Sequence, residues 1–321
     1  MHFLIIIIIS FTFFYIVLYI SLNFILIKFS IIRCKMFLVV RNSISDKLDN
    51  NKNYRIINEQ PIKEYCTNNM CVNELEKINA GCLFLFDALF KDSSVFSYYT
   101  KNNINIVKYI IIWLSYMLNL KEQVGTVNNL QYFYNMYMEG GDKYKNRITD
   151  IKEYSSYKDL IDKINMMNMD IKDISKFYDA FSTLCNMYIE FDEDSPNCNK
   201  FSEQGKEFVR KYEELKKNYN ITEDSPYNQV LSILSTDYNN FKNKCKILPS
   251  LPTIDKKPHA QSSEATSSSS ISKNLFIVLS IFGAIGFFLG ISYKVNNMEL
   301  KKNIMYMQTL TNNRMLLNIL Y

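Results

Sequence analysis

Histidine is almost missing from this sequence: the 321 residues hold only two, His2 and His259. One precedes an apolar run and the other sits in a Pro- and Ser-rich stretch. Whatever folds between them has no imidazole, which removes Ser-His and Cys-His nucleophile pairs and histidine-based metal sites from it. GxGxxG, Walker A, HExxH and GxSxG patterns are all absent. The sequence therefore offers no catalytic residue, no cofactor-binding residue and no metal ligand; no cofactor is expected, and the chain does not read as an enzyme. Charge of one sign is lacking too. A net +5 is too mild to argue for nucleic acid, and basic residues alternate with acids, as in 203–217, in the manner of a solvated helix face. Glycine (eight) and proline (six) are scarce beside Asn, Ile, Lys, Tyr and Phe. That bias suits an A/T-rich genome and describes codons, not function.

What is present begins with two long runs free of charge. Residues 275–293 read LFIVLSIFGAIGFFLGISY between Lys273 and Lys294. At about 1.5 Å rise per residue such a run crosses a hydrocarbon core of roughly 30 Å. Only a helix satisfies its own backbone there, so residues 274–293 are expected to be a single transmembrane helix with membrane lipid as a partner. Within it, Gly286 and Gly290 form a GxxxG spacing, a candidate for close helix association. Before it, residues 248–273 carry Pro249, Pro252 and Pro258 and then a Ser-rich tract, which predicts a flexible stalk. After it, the tail 294–321 carries Lys294, Lys301, Lys302 and Arg314 against Glu299, which favours the cytosolic side.

The second run spans residues 3–27, too long for the apolar part of a cleaved signal peptide and without a basic region before it. It reads as a signal anchor. Lys28, Arg33, Lys35 and Arg41 follow it, and by the positive-inside rule they would hold its C-terminal side in the cytosol. The cysteines say the opposite. Cys34, Cys66, Cys71, Cys82, Cys185, Cys198 and Cys245 all precede the 274–293 segment and none follows it, which suits an oxidised, non-cytosolic domain. All seven are candidate disulfide cysteines. No CxxC pair and no nearby histidine supports zinc. An odd count leaves one thiol free or intermolecular, and six cysteines already allow 15 pairings.

Between the runs the apolar period is helical. Residues 73–90 repeat at Leu75, Ile78, Cys82, Phe86 and Leu89. Residues 104–120 hold the only tryptophan, Trp113, and with Lys108 inside they read as a buried central helix, not a span. A helix around 130–138 ends at Gly140-Gly141. Further amphipathic helices are expected at 157–169, 173–191, 201–219 and 227–245, the last with Ser225 as N-cap and Pro226 at its first position. A short helix is expected around 44–48, and no useful period-2 alternation appears. The acidic stretches 190–194 and 223–224 are expected to be solvated interhelix loops. The fold class is therefore all-α: a disulfide-stabilised helical ectodomain over 34–247, a Ser-rich stalk and a C-terminal transmembrane helix.

Several stretches carry a family resemblance: CVNELEKINAGCL (71–83), IWLSYML (112–118), DISKFYD (173–179), and LSILSTDY (231–238) followed by Asn243-Lys244-Cys245. With the stalk and apolar helix they resemble the Plasmodium interspersed repeat (PIR) family, in its rodent-malaria branch, over roughly 34–294. The resemblance implies a variant, helical, single-span antigen of infected red cells, linked to antigenic variation and immune evasion, with no known enzymatic activity. The family's ligands are mostly undefined; a host cell-surface or serum protein is the expected partner, with loops such as 124–128 and 190–200 as the variable surface. The seven cysteines fall where the family tends to place its own. Residues 1–33 precede the family pattern, so they are expected either to be read-through of intron sequence or to act as the signal anchor. The tail is less basic than the family's.

Overall fold

The computed structural model of this chain describes residues 26–91, 104–123, 125–148, 154–218 and 226–250. All lie in the first of two units, which spans Met1–Pro252. The apolar run up to residue 25, most of the stalk, the 274–293 segment with Gly286 and Gly290, the tail, both histidines and Ser225 lie outside the described residues. Among the described helices, none is long and apolar enough to cross a membrane.

Helix α1 occupies residues 26–43 and leads into strand β1, Ile44–Leu48, which pairs antiparallel with β2, Tyr54–Ile56. Short 3-10 turns at Lys63–Tyr65 and Thr67–Asn69 lead to α2, Glu74–Phe86, which runs on into a π turn, Asp87–Lys91. Next come α3, Asn105–Asn119, and α4, Asn129–Phe133, which continues as a π turn, Tyr134–Glu139. Helices α5, Asp142–Lys145, and α6, Tyr157–Ile164, are short. The last three are α7, Ile171–Glu190, α8, Ser202–Asn218, and α9, Pro226–Lys244.

Local chemistry sets these ends. Asn73, Asn128, Ser156 and Asp170 each accept a backbone N–H of the helix they precede, satisfying donors that have no partner within the helix. Helix α6 stops at Ile164, short of the expected 169, because Asn165 turns left-handed with φ 50°, which ends a helix at little cost for asparagine. The expected helix over 44–48 is a strand instead. Asp49 Oδ1 accepts from the N–H groups of Asn51 and Asn53, both at 2.8 Å, and closes a hairpin that brings Tyr54 back beside Leu48. An Asx turn of this kind offers the backbone a local alternative to helix.

Helix α7 gives the bundle its long axis, about 30 Å at 1.5 Å per residue. Helices α1 and α3 run antiparallel to it. Cys34 is bonded to Cys185, Phe37 meets the edge of Phe181, and Tyr109 stacks on Phe181 at 4.5 Å, while Asn119 reaches Ser175. Helix α9 runs parallel to α7, with Tyr227 beside Phe177 at one end and Phe241 against Tyr188 at the other. Helix α8 is antiparallel to α9, Phe208 lying flat on Tyr238 at 4.5 Å. As expected, α3 is the buried centre: Ile106 through Ser115, Met117 and Leu118 are all buried. Its single interior cation, Lys108, donates to Gln229 Oε1 at 3.0 Å. Close approach at the centre depends on Gly81. A Cβ there would stand 2.8 Å from the Trp113 ring and 2.9 Å from Ile44 Cδ1, inside contact distance in a core packed to crystal density.

The expected domain boundary between residues 33 and 34 falls inside α1. Ile27, Phe29, Ser30 and Arg33 are buried. Arg33 Nη2 donates to Asp237 Oδ2 at 2.8 Å, with the two side chains 3% and 13% exposed. The Tyr109 hydroxyl donates to the same carboxylate oxygen and the Tyr188 hydroxyl to the Asp237 carbonyl, while the guanidinium lies 4.5 Å over the Tyr109 ring. Burial pushes the Arg33 guanidinium down, but the Asp237 charge outweighs it and holds the group above its ordinary value. At the other end, Leu248–Ser250 do not begin the stalk. Leu248 is buried, and Tyr238 donates to the Pro249 carbonyl at 2.8 Å, so the chain folds back on α9 after Cys245.

Two expectations follow for stability. Arg33→Ala leaves Asp237 charged and bare in the core, and unfolding by urea, followed through Trp113 fluorescence, should show a loss of about 3–5 kcal/mol; a loss under about 1 kcal/mol would mean that α1 is not seated as described. The three disulfides should rank by the loop each closes. With sequence separations of 151, 47 and 5, paired Cys→Ser variants should cost about 5 kcal/mol for Cys34–Cys185, about 4 for Cys198–Cys245 and about 2 for Cys66–Cys71.

Candidate functional site

The described residues hold no group of three or more His, Cys, Asp or Glu able to bind a metal ion. Of the seven cysteines, six pair as Cys34–Cys185, Cys66–Cys71 and Cys198–Cys245. Cys82 is the free one and is fully buried in α2. Burial pushes its thiol up to about 12, and a hydrogen bond with Tyr144 draws it only part of the way back. A thiol kept protonated and enclosed is neither nucleophile nor metal ligand. In the 190–200 loop Glu190, Asp192 and Asp194 are exposed, as expected of a solvated acidic run, and Asp192 Oδ1 accepts from the Asp194 and Ser195 N–H groups. Glu193 is half-buried, and burial raises its carboxyl while Lys28 and Lys244 pull it down. The exposed residues of the other loop include Val127.

The two ends of the bundle differ. One end gathers the start of α1, the end of α9, the Cys198–Cys245 bridge and the last described residue, Ser250. The other end carries the start of α2, because Glu74 pairs with Lys121 just beyond α3. At this far end lies an open cavity of about 400 Å³, within the range of roughly 300–1,000 Å³ usual for small-molecule sites.

Three separate segments build it. The first two turns of α2 supply Asn73, Glu76 and Asn79, which the helical period places on one face. The turns before α2 supply Tyr65 and Thr67, and the α4–α5 region supplies Tyr137 and Lys143. Gly141 makes the last placement possible: its N–H bonds the Tyr137 carbonyl at 3.0 Å, and a Cβ there would come within 2.3 Å of that oxygen. Glu76 completes a capping box with Asn73 and also accepts from the Thr67 N–H at 2.6 Å. Burial pushes its carboxyl up, but those hydrogen bonds and the nearby Lys143 outweigh it and hold Glu76 below the usual carboxylate range. Lys143 Nζ donates to the Tyr65 carbonyl at 3.1 Å and lies over the Tyr65 ring. The Tyr144 hydroxyl donates to Asn79 Oδ1 at 2.9 Å and fixes that amide from behind. Tyr137 stacks on Phe133, and burial together with the Glu76 charge raises its hydroxyl. Residues near the lining are exposed and apolar: Met70 within the Cys66–Cys71 loop and Val72 just after it, and Tyr132 and Met136 in the segment that holds Tyr137.

Sequence reasoning singled out none of these as a site. One signal was legible, the Asn73-x-x-Glu76 capping box. Tyr65, Tyr137 and Lys143 come from distant segments, and no spacing announces them.

A helical domain closed by three disulfides, with no catalytic constellation among its described residues, is the ectodomain type of protein. Its relatives narrow that. Residues 34–294 match the sequence model of the family described as Plasmodium variant antigen protein Cir/Yir/Bir, which is well over half of the chain, and the chain belongs to that family. A solved structure described as that of a Plasmodium PIR protein ectodomain is similar to it, at 29% identity and a TM-score of 0.55, covering 72% of this chain and all of the other. No curated protein matches. This family and ectodomain fold are not known as enzymes.

The enclosure of Cys82 has a direct readout. Iodoacetamide at pH 8 should label no cysteine in the native, non-reduced protein and one per chain, Cys82, in guanidinium. Labelling in the native state would show that α2 opens.

Proposed function

We propose that this chain is a variant surface antigen of a malaria parasite, displayed on the membrane of the infected red cell, and that it acts by binding and display in immune evasion, without catalysis. Family membership combined with a helical ectodomain cross-linked by three disulfides carries this reading. Such cross-links persist in oxidising surroundings. The 274–293 segment would anchor the domain through the stalk, with the tail in the cytosol, and Gly286 and Gly290 would offer a face for helix association. The binding partner would be a host cell-surface or serum protein, and the rodent-malaria branch would be its lineage. The seating of Ile27 to Arg33 in the core favours retention of at least this part of the N-terminal region in the working protein.

Antibodies against the ectodomain should label intact, unpermeabilised infected cells, and external protease should abolish that signal. Labelling confined to permeabilised cells would sink the display reading. It would support the alternative, an organising or trafficking protein of parasite, vacuole or export membranes.

A further inference from the structure

We propose that the far-end cavity is a carbohydrate site which takes one neutral sugar unit of a glycan. The inference rests on the display reading only for its setting; the chemistry comes from the cavity walls. Among the described residues, the hydrogen bonds that build the cavity leave a defined set of groups unused. Asn79 has its oxygen committed to Tyr144, and its NH2 has no protein partner. Asn73 uses its oxygen on the Leu75 N–H, again leaving the NH2. The Tyr137 hydroxyl is unpaired. Lys143 spends one N–H on the Tyr65 carbonyl and retains two. The Glu76 oxygens each accept from the protein and each keeps accepting capacity.

These groups set the ligand class. Spare donors on Asn73, Asn79, Tyr137 and Lys143 and spare accepting capacity on Glu76 line the same cavity, as hydroxyls require, since each hydroxyl both donates and accepts. One carboxylate and one ammonium cancel, so the walls favour neither an anion nor a cation. The rings of Tyr65 and Tyr137 also line the cavity, but Lys143 lies over the first and Phe133 is stacked on the second, so the polar groups set the ligand class. The lining has too little apolar surface for a lipid tail or a large hydrophobic side chain. A neutral pyranose, a ring of uncharged hydroxyls, matches this balance of polar groups and charge. The position suits display, because the cavity lies at the end of the bundle away from Ser250. The fixed amides and carboxylate are held by the capping box and by Tyr144, so little ordering is needed on binding.

The test uses the full chain in phosphatidylcholine nanodiscs, free of glycosidic detergent, on an array of neutral, sialylated and sulfated glycans. Binding should be to neutral glycans. Glu76→Gln keeps the capping box, in which glutamine serves as well as glutamate, and removes the charge; it should weaken binding about tenfold. Tyr137→Ala should weaken it at least as much, and Arg210→Ala on the exposed face of α8 should leave it unchanged. Trp113 fluorescence melts verify that each variant folds. An array with no binding overturns the proposal, and so does binding confined to sialylated or sulfated glycans or binding untouched by Glu76→Gln. Because the array does not depend on where the chain resides in the cell, a failure here leaves the display reading intact, and a failure of surface labelling leaves this site intact.

Discussion

Asp237 carries a negative charge within a helical core, and partners from three other helices hold the residue. Arg33 from α1 and Tyr109 from α3 bond its carboxylate, and Tyr188 from α7 bonds its backbone carbonyl. Such a pair is weak evidence for net stability, since well-packed apolar residues of similar volume often serve as well. Its effect is on the alternatives. Any arrangement that draws α1 away from α9 leaves a carboxylate buried without a countercharge, and any sliding of α3 along α7 moves Tyr109 out of reach. Apolar burial drives the helices together; this cluster selects the alignment in which four of them meet. The Cys34–Cys185 bridge lies one residue along α1 and fixes the same alignment covalently.

The cluster also bears on where the domain begins. A boundary at residue 34 is natural from the sequence, because the apolar run before it looks like a membrane segment and Arg33 and Lys35 look like its flanking charges. The structure separates the two cations: Lys35 is exposed and Arg33 is buried. Nothing local distinguishes them, because the partner that buries Arg33 lies 204 positions away. The long helices were legible for the opposite reason. In α2, α7, α8 and α9 the apolar stripe repeats within one element, and the period alone implies a buried face. The β-hairpin was not, since its strands have five and three residues and depend on how Asp49 folds its own turn. The same contrast holds at the far end, where the cap of α2 is written in four consecutive residues and the rest of the cavity wall is assembled from three segments.

Cysteine shows how burial sorts residues of one type. Six of the seven are paired, and each pair joins elements or closes a loop. The seventh, Cys82, faces the packed side of α2 behind Asn79 and Tyr144. An unpaired thiol in an oxidising compartment is a hazard for exchange with other disulfides. Here the surroundings that hold the helix in place also keep the sulfur protonated and out of reach, so the hazard is contained without a partner.

The fold-back of Leu248–Ser250 has a mechanical meaning. Tension arriving along the chain from residue 251 first meets Leu248 and Pro249, which lie along α8 and α9, and must slide or peel them. Three residues further in, it reaches Cys245. The bridge to Cys198 shunts the load there into the covalent frame at the start of α8, instead of unwinding α9 turn by turn. Pulled from its C-terminal end, the domain would thus yield a few residues of slack and then stiffen, while Asp237 and the core beyond it carry little of the pull.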